Sequence, residues 1–150
     1  MAKNRLVHFE FRTRDRNRLK AFYAALFHWK FEEFGDSYTG VKTGNDECGG
    51  GIFQCPEGVP TGTSNYFDVD DLADYEAKVR ELGGKVLMSN QEVPGHGWFS
   101  LCLDVDGNSL ALWKGLRKSE RKQLKKEQKQ ARKAEKQDRK RVKKSEELRA

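Results

Sequence analysis

From residue 6 to residue 12 the chain alternates apolar and polar side chains, with Val7, Phe9 and Phe11 on one side and His8, Glu10 and Arg12 on the other. A period of two marks a strand with one face buried. The period then lengthens. Leu19, Phe22, Tyr23 and Leu26 recur at helical spacing behind Asp15, a residue type that caps helix N-termini. This predicts a helix reaching Phe27 and lying on the Val7, Phe9, Phe11 side of the strand. Three short runs rich in β-formers follow at residues 29–34, 38–43 and 50–54, separated by Gly, Asp and Asn turns.

The same order then recurs. A strand is expected at residues 64–69, an N-cap at Asp71, and a helix to Leu82 built on Leu72, Tyr75, Val79 and Leu82. Further strands are expected at 85–88, 98–103 and 109–113. A shift of 56 residues lays Asp15 on Asp71, Leu19 on Tyr75, Tyr23 on Val79 and Leu26 on Leu82. Matching caps and matching apolar helix positions predict a duplicated βαβββ unit, with residues 59–63 as its linker.

Composition divides the chain elsewhere. All nine Phe, four Tyr and three Trp lie before residue 117, enough large apolar side chains for a core. Residues 117–150 carry 16 Lys and Arg against 6 Asp and Glu, leaving 13 against 17 for residues 1–116, so the net charge of +6 is a property of the tail. Strong helix formers dominate that tail, and an exposed helix that frays is expected. Its apolar residues Leu116, Leu124, Ala131, Ala134, Val142 and Leu148 hold no heptad, which argues against a coiled coil. A weak, sequence-independent nucleic-acid contact through residues 117–150 is one expectation and a solvated solubility tail the other. No aromatic residue interleaves the charges to stack on bases.

No apolar run approaches the roughly 18–20 residues that span a bilayer, and MAKNRLVHFE lacks the apolar centre of a signal peptide. A cytoplasmic protein without membrane contact is expected. Cys48, Cys55 and Cys102 are odd in number and lack a CxxC pair, so free thiols are expected rather than a disulfide framework or a zinc site.

The stretches VHFEF, LKAFYAALFHWKF, GGGIF, NYFDVDDLADYEAKVRELGGKV and PGHGWFSLCLDVDGNSLALWK, in that order, resemble the vicinal oxygen chelate superfamily. Its members include glyoxalase, extradiol dioxygenases and the bleomycin and fosfomycin resistance proteins. The likeness covers about residues 5–114. It implies an α+β fold in which two βαβββ modules, 5–58 and 62–114, form a curved mixed sheet with a concave ligand cup. The domain so implied spans residues 1–116 and is followed by the basic tail, 117–150. The resemblance also suggests a homodimer.

Strand alternation assigns faces within that cup. His8, Glu10 and Arg12 point inward with Ser64, Tyr66 and Asp68, while Phe67 and Val69 pack outward on the second helix. In strand 98–103, Phe99, Leu101 and Leu103 form the more apolar side, which leaves Trp98, Ser100 and Cys102 for the cup. In the last strand Leu110 and Leu112 pack outward, and Ser109, Ala111 and Trp113 face in. Ser64, Tyr66, Trp98, Ser100, Cys102 and Trp113 are therefore the expected ligand-binding residues, an aromatic lining with a few polar groups.

Metal-dependent relatives bind a divalent ion through one inward residue on each of four strands. By the resemblance these positions fall on His8, on one of Gly51, Ile52 or Phe53, on Ser64 and on Ala111. His8 alone among the named positions has a ligating side chain, so no cofactor is expected, and a divalent metal held by other ligands is the disfavoured alternative. His8 and Glu10, two apart on one strand face, are the candidate catalytic pair, or else wall groups that orient a ligand or pair with Arg12.

Three functions follow as expectations. One is a metal-free cup that binds a small organic molecule. Another is a glyoxalase-like lyase, isomerase or dioxygenase using His8 and Glu10. The last is an adaptor that places its basic tail on nucleic acid. GGGIF lacks the spacing of a phosphate loop, and close backbone approach in a curved strand accounts for its glycines. His96 sits between glycines in a loop that could close over a ligand, and His28 is read as a surface residue or helix cap. DVDGN is too short for an EF-hand loop, so Asp104 and Asp106 are expected to shape a turn between strands.

Overall fold

The structure, a computed structural model, describes residues 4–44 and 48–147, with side chains to residue 142. Leu148 lies outside the described residues. The first module consists of β1 (Leu6–Thr13), α1 (Arg16–Leu26), β2 (Lys30–Phe34), β3 (Tyr38–Lys42) and β4 (Gly49–Gln54). The second repeats the order with β5 (Gly62–Asp68), α2 (Leu72–Glu81), β6 (Lys85–Val93), β7 (Gly97–Leu103) and β8 (Ser109–Gly115). A final helix, α3, spans Lys118–Glu147.

Both expected caps form. Asp15 accepts from the backbone N–H of Arg18 at 2.9 Å, and Asp71 from those of Ala73 and Asp74 at 3.0 and 3.3 Å, satisfying donors that a helix start leaves without partners. The eight strands make one mixed sheet in the order β2-β3-β4-β1-β5-β8-β7-β6. β1 runs parallel to β4, β5 parallel to β8, and β1 and β5 meet antiparallel at the centre. His8 lies across from Tyr66 and Glu10 across from Ser64, so under the 56-residue shift each residue pairs with the counterpart of the other. The duplicated unit is thus folded about an approximate dyad between β1 and β5.

Apolar alternation places both helices on one side of this sheet. The Tyr23 ring of α1 stacks on Phe11 at 4.8 Å and on Trp29 at 5.3 Å, with Phe9 beside Trp29. Under α2, Val69, Leu72, Cys102 and Leu112 form a buried cluster with Tyr75, Val79, Val86, Trp98 and Leu110 against it. Gly83, at φ +86°, ends the helix in the left-handed region that a glycine adopts without strain. The Asp104 turn is as expected. The Asp104 carboxylate accepts from the backbone N–H groups of Asp106 and Asn108 at 3.0 and 2.8 Å and from the Asn108 side chain at 2.9 Å.

Two face assignments are corrected. Trp98, Ser100 and Cys102 point toward α2, and Phe99 and Leu101 pack on the opposite face with Tyr66 and Ala111. Alternation alone cannot orient a strand that is apolar on both sides. Here a buried carboxylate decides it: Glu76 of α2 accepts from Ser100 Oγ at 2.5 Å and from Ser89 Oγ at 2.8 Å, so the hydroxyl side of β7 turns to the helix. Val7, expected under α1, packs instead against the Tyr66, Leu101, Ala111 cluster. The β1–β5 register shifts between Leu6 and His8, and a bulge there releases Val7 from the alternation.

Residues 94–96 and 115–147 form a compact unit of their own. Within it the Leu116 N–H donates to the His96 carbonyl at 3.0 Å. At about 100° per residue, all acidic residues of α3 up to position 142 (Glu120, Glu127, Glu135, Asp138) share one side with Leu124, Ala131, Ala134 and Val142. Every Lys and Arg from 118 to 142 lies on the remaining arc. Among the described residues no helix is long and apolar enough to cross a membrane.

Candidate functional site

Pairing across the four central strands sets two rows of residues on the sheet face turned away from α1 and α2. One row is Gly49, His8, Tyr66 and Ala111, and the next is Gly51, Glu10 and Ser64. The glycines of β4 leave room for rings. A Cβ at Gly51 would overlap the Tyr38 phenol, which crosses from β3 on this face, and a Cβ at Gly50 would overlap the Phe9 ring on the other. Close approach is thus what these glycines permit.

Tyr38, lying over Gly51, brings its Oη to 2.8 Å from His8 Nε2. The Tyr66 ring meets the His8 ring edge-on with centroids 5.4 Å apart, and its hydroxyl donates to Glu10 Oε1 at 3.4 Å. Arg12 ends the β1 series and is 8% exposed. Its Nη1 donates to Ser64 Oγ at 2.6 Å and its Nε to the Pro60 carbonyl at 2.9 Å, while both Nη atoms reach Ser109 Oγ at 3.4 Å. The Ser64 and Ser109 hydroxyls share a bond of 2.6 Å. Tyr66, Leu101 and Ala111 form a buried cluster on this face, with Phe99 and Trp113 partly buried against it.

Desolvation penalises the charged form of each group here. Burial pushes the His8 imidazolium down to about 4, so the ring is neutral at pH 7. It raises the Glu10 carboxyl, against the lowering influence of Arg12 and of the Tyr66 hydrogen bond. The Tyr38 and Tyr66 hydroxyls are raised by burial and then by Glu10. The Arg12 guanidinium is the fixed charge of the site.

The structure therefore brings together His8, Glu10, Ser64, Tyr66 and Trp113 from the expected set. It sends Trp98, Ser100 and Cys102 to the helix side, where burial, then Glu76, pushes the Cys102 thiol up to about 11. Strand alternation does not point to Tyr38 or to the anchoring role of Arg12. The available signal is the glycine run itself, since a strand without side chains beside an aromatic residue invites that ring across it.

The sequence matches the family model described as Glyoxalase/Bleomycin resistance protein/Dioxygenase superfamily over residues 5–112. The chain belongs to this superfamily. A protein of Mycobacterium bovis that bears the name glyoxylase CFP32 is 29% identical over 116 residues, covering 72% of this chain and 44% of its own length. The chain thus spans less than half of the curated relatives it matches. The Mn(II)-bound glyoxalase from Novosphingobium aromaticivorans is similar in fold, with TM-score 0.55 and 18% identity over 75% of this chain and 39% of that one. A superfamily member from Vibrio splendidus has TM-score 0.54 and 14% identity over 75% of this chain and 98% of its own.

By the resemblance, superfamily metal sites draw one ligand from each of four positions, here His8, one of Gly51, Ile52 or Phe53, Ser64 and Ala111, and of the β4 residues Gly51 is the one paired with Glu10 on this face. These residues do not fit a divalent ion. The space above Gly51 holds the Tyr38 phenol, Ser64 Oγ is engaged by Arg12 and Ser109, and Ala111 has no donor atom. Among the described residues no three His, Cys, Asp or Glu side chains gather as a metal-binding group. A guanidinium already stands beside the position of one would-be ligand.

Proposed function

We propose that this chain is a metal-independent member of the superfamily that binds a small organic molecule on the face formed by His8, Glu10, Tyr38, Tyr66 and Trp113. The observation that carries the reading is the double occupation of the ligand positions: the Tyr38 phenol over Gly51 and the Arg12 guanidinium on Ser64. Aromatic rings and a few fixed polar groups are what a small-molecule site requires. Free thiols at Cys48, Cys55 and Cys102 fit a reducing compartment such as the cytoplasm.

Acid–base catalysis by His8 and Glu10 is the less favoured alternative. His8 Nε2 is already engaged by Tyr38, and among the described hydrogen bonds none joins His8 to Glu10. The adaptor alternative rests on charge alone, because α3 has no aromatic side chain to stack on a base.

Metal analysis of the full chain, purified without chelator and exposed to zinc, manganese and nickel, is expected to find far less than one ion per chain. Compounds that raise its melting temperature in a thermal-shift screen are expected to lose that effect in Tyr66→Leu. A stoichiometric ion that disappears in His8→Ala sinks the metal-independent reading.

A further inference from the structure

Arg12 stands out because a guanidinium so deeply buried has only neutral hydrogen-bond partners. A buried charge is retained at a cost of several kcal/mol unless an opposite charge or a full set of hydrogen bonds offsets it. None of the ion pairs among the described residues includes Arg12. A guanidinium has five N–H protons. The observed bonds, Nε to Pro60 O, Nη1 to Ser64 and Ser109, and Nη2 to Ser109, use at most four, and the two to Ser109 are long at 3.4 Å. The carboxylate that feels its charge, Glu10, is itself driven toward neutrality by burial. The second module offers no compensation at the matching residue either, since Asp68 is bound to Arg5.

The neighbours of Arg12 suit an anion of two oxygens. Ser64 and Ser109 Oγ lie against the guanidinium and share a bond of 2.6 Å, which uses the proton of one hydroxyl and leaves that of the other to turn toward an incoming acceptor. Beyond them, on the same face, lie the Tyr66 ring and the packed side chains of Phe99, Ala111 and Trp113. The arrangement is polar and cationic at one end and apolar at the other.

We infer that the ligand of this face is a small organic acid, its carboxylate held by the Arg12 guanidinium with Ser64 and Ser109, and its apolar body against Tyr66. The inference rests on the reading of this face as the ligand site. A fixed guanidinium then supplies the positive charge in the region where metal-dependent relatives place an ion. Planar bidentate pairing with a carboxylate is the interaction a guanidinium makes best.

Benzoate and its neutral isostere benzamide test this on the full chain, with melting temperature and tryptophan fluorescence as readouts. Benzoate is expected to bind at least about tenfold more tightly than benzamide, the loss that follows when a charge-assisted pair is left unmade. Arg12→Gln is expected to abolish the preference and Arg12→Lys to keep part of it, each checked for folding by circular dichroism. The comparison of the two probes on the unmodified chain needs neither variant to fold. Equal binding of both probes, lost in Tyr66→Leu, overturns the acid preference and leaves the ligand face standing. The acid preference falls in the same way if neither probe binds while other compounds are lost in Tyr66→Leu. Probe binding that survives both the Arg12 and Tyr66 variants lies off this face and overturns both readings.

Discussion

At position 8 the first module places a histidine where the second, 56 residues on, places Ser64; Glu10 corresponds to Tyr66, and Arg12 to Asp68. The backbones correspond closely, from strand through N-capped helix to three further strands. Their helices nevertheless dock differently. α1 buries none of its residues and is held by the Phe11, Tyr23, Trp29 rings and by a part-buried polar network in which Arg16, Lys20 and Thr39 meet Glu33. α2 buries Leu72 and Glu76. A duplicated backbone fixes where side chains point without fixing what they are. Across the central strands the modules accordingly differ, with titratable and charged groups on β1, rings and hydroxyls on β5 and β8, and the Tyr38 phenol added from β3.

The sharpest test of that difference exchanges the equivalent strand positions Gly51 and Ala111, which pair with Glu10 and Tyr66. Gly51→Ala must expel the Tyr38 phenol and break its 2.8 Å bond to His8. A loss of about 3 kcal/mol is expected, combining overpacking with a lost hydrogen bond. Ala111→Gly displaces nothing and is expected to cost about 1 kcal/mol, mainly through backbone freedom. Urea unfolding of both variants measures the contrast. Combining Gly51→Ala with Tyr38→Ala should cost less than the two changes summed, because the first clash is then absent. Equal losses at 51 and 111 contradict the assigned role of Tyr38.

The fold could be read from the sequence because its signals are local. Alternation in residues 6–12, the Asp15 and Asp71 caps and the 56-residue repeat are each set by neighbours along the chain. Parts of the site depended on contacts between strands far apart in sequence. Tyr38 reaches His8 only because β4 separates β3 from β1 and carries a glycine at the crossing. The orientation of β7 depended on a carboxylate from α2, which strand periodicity cannot register. His8, Glu10, Ser64 and Tyr66 were legible because β1 and β5 are amphipathic. Trp98, Ser100 and Cys102 were misplaced because β7 is not.

A smaller effect distinguishes His8 from its counterpart Ser64 by pH. The folded chain holds the imidazole neutral, down to about 4, against an ordinary value of 6.5. Between those values the unfolded chain binds the proton more readily, so stability is fully present above pH 6.5 and lost as the pH falls toward 4. The complete shift corresponds to about 3 kcal/mol, which partial exposure of the ring reduces to about 1–2 kcal/mol. Unfolding midpoints of His8→Gln should therefore fall less than those of the parent across this window. Parallel curves would mean that His8 titrates normally and is not desolvated by Tyr38 and Tyr66.

The smallest effect belongs to the helix side of the second module. Desolvation raises the Glu76 carboxyl, but hydrogen bonds from Ser100, Ser89 and Arg80 outweigh it and hold the group below its ordinary value of 4.5. A carboxylate so lowered stabilises the fold above pH 4.5 and loses that contribution as acid protonates it. Ser100→Ala removes the 2.5 Å donor from a fully buried position and is expected to cost about 1 kcal/mol at pH 7. The gap between variant and parent should narrow as the pH falls through the lowered folded value, below which the carboxyl is protonated in folded and unfolded chains alike. Because Ser100 faces α2, the same variant should bind any ligand of the opposite face as the parent does. If binding is lost while stability is kept, β7 is turned the other way, and the orientation assigned from Glu76 fails.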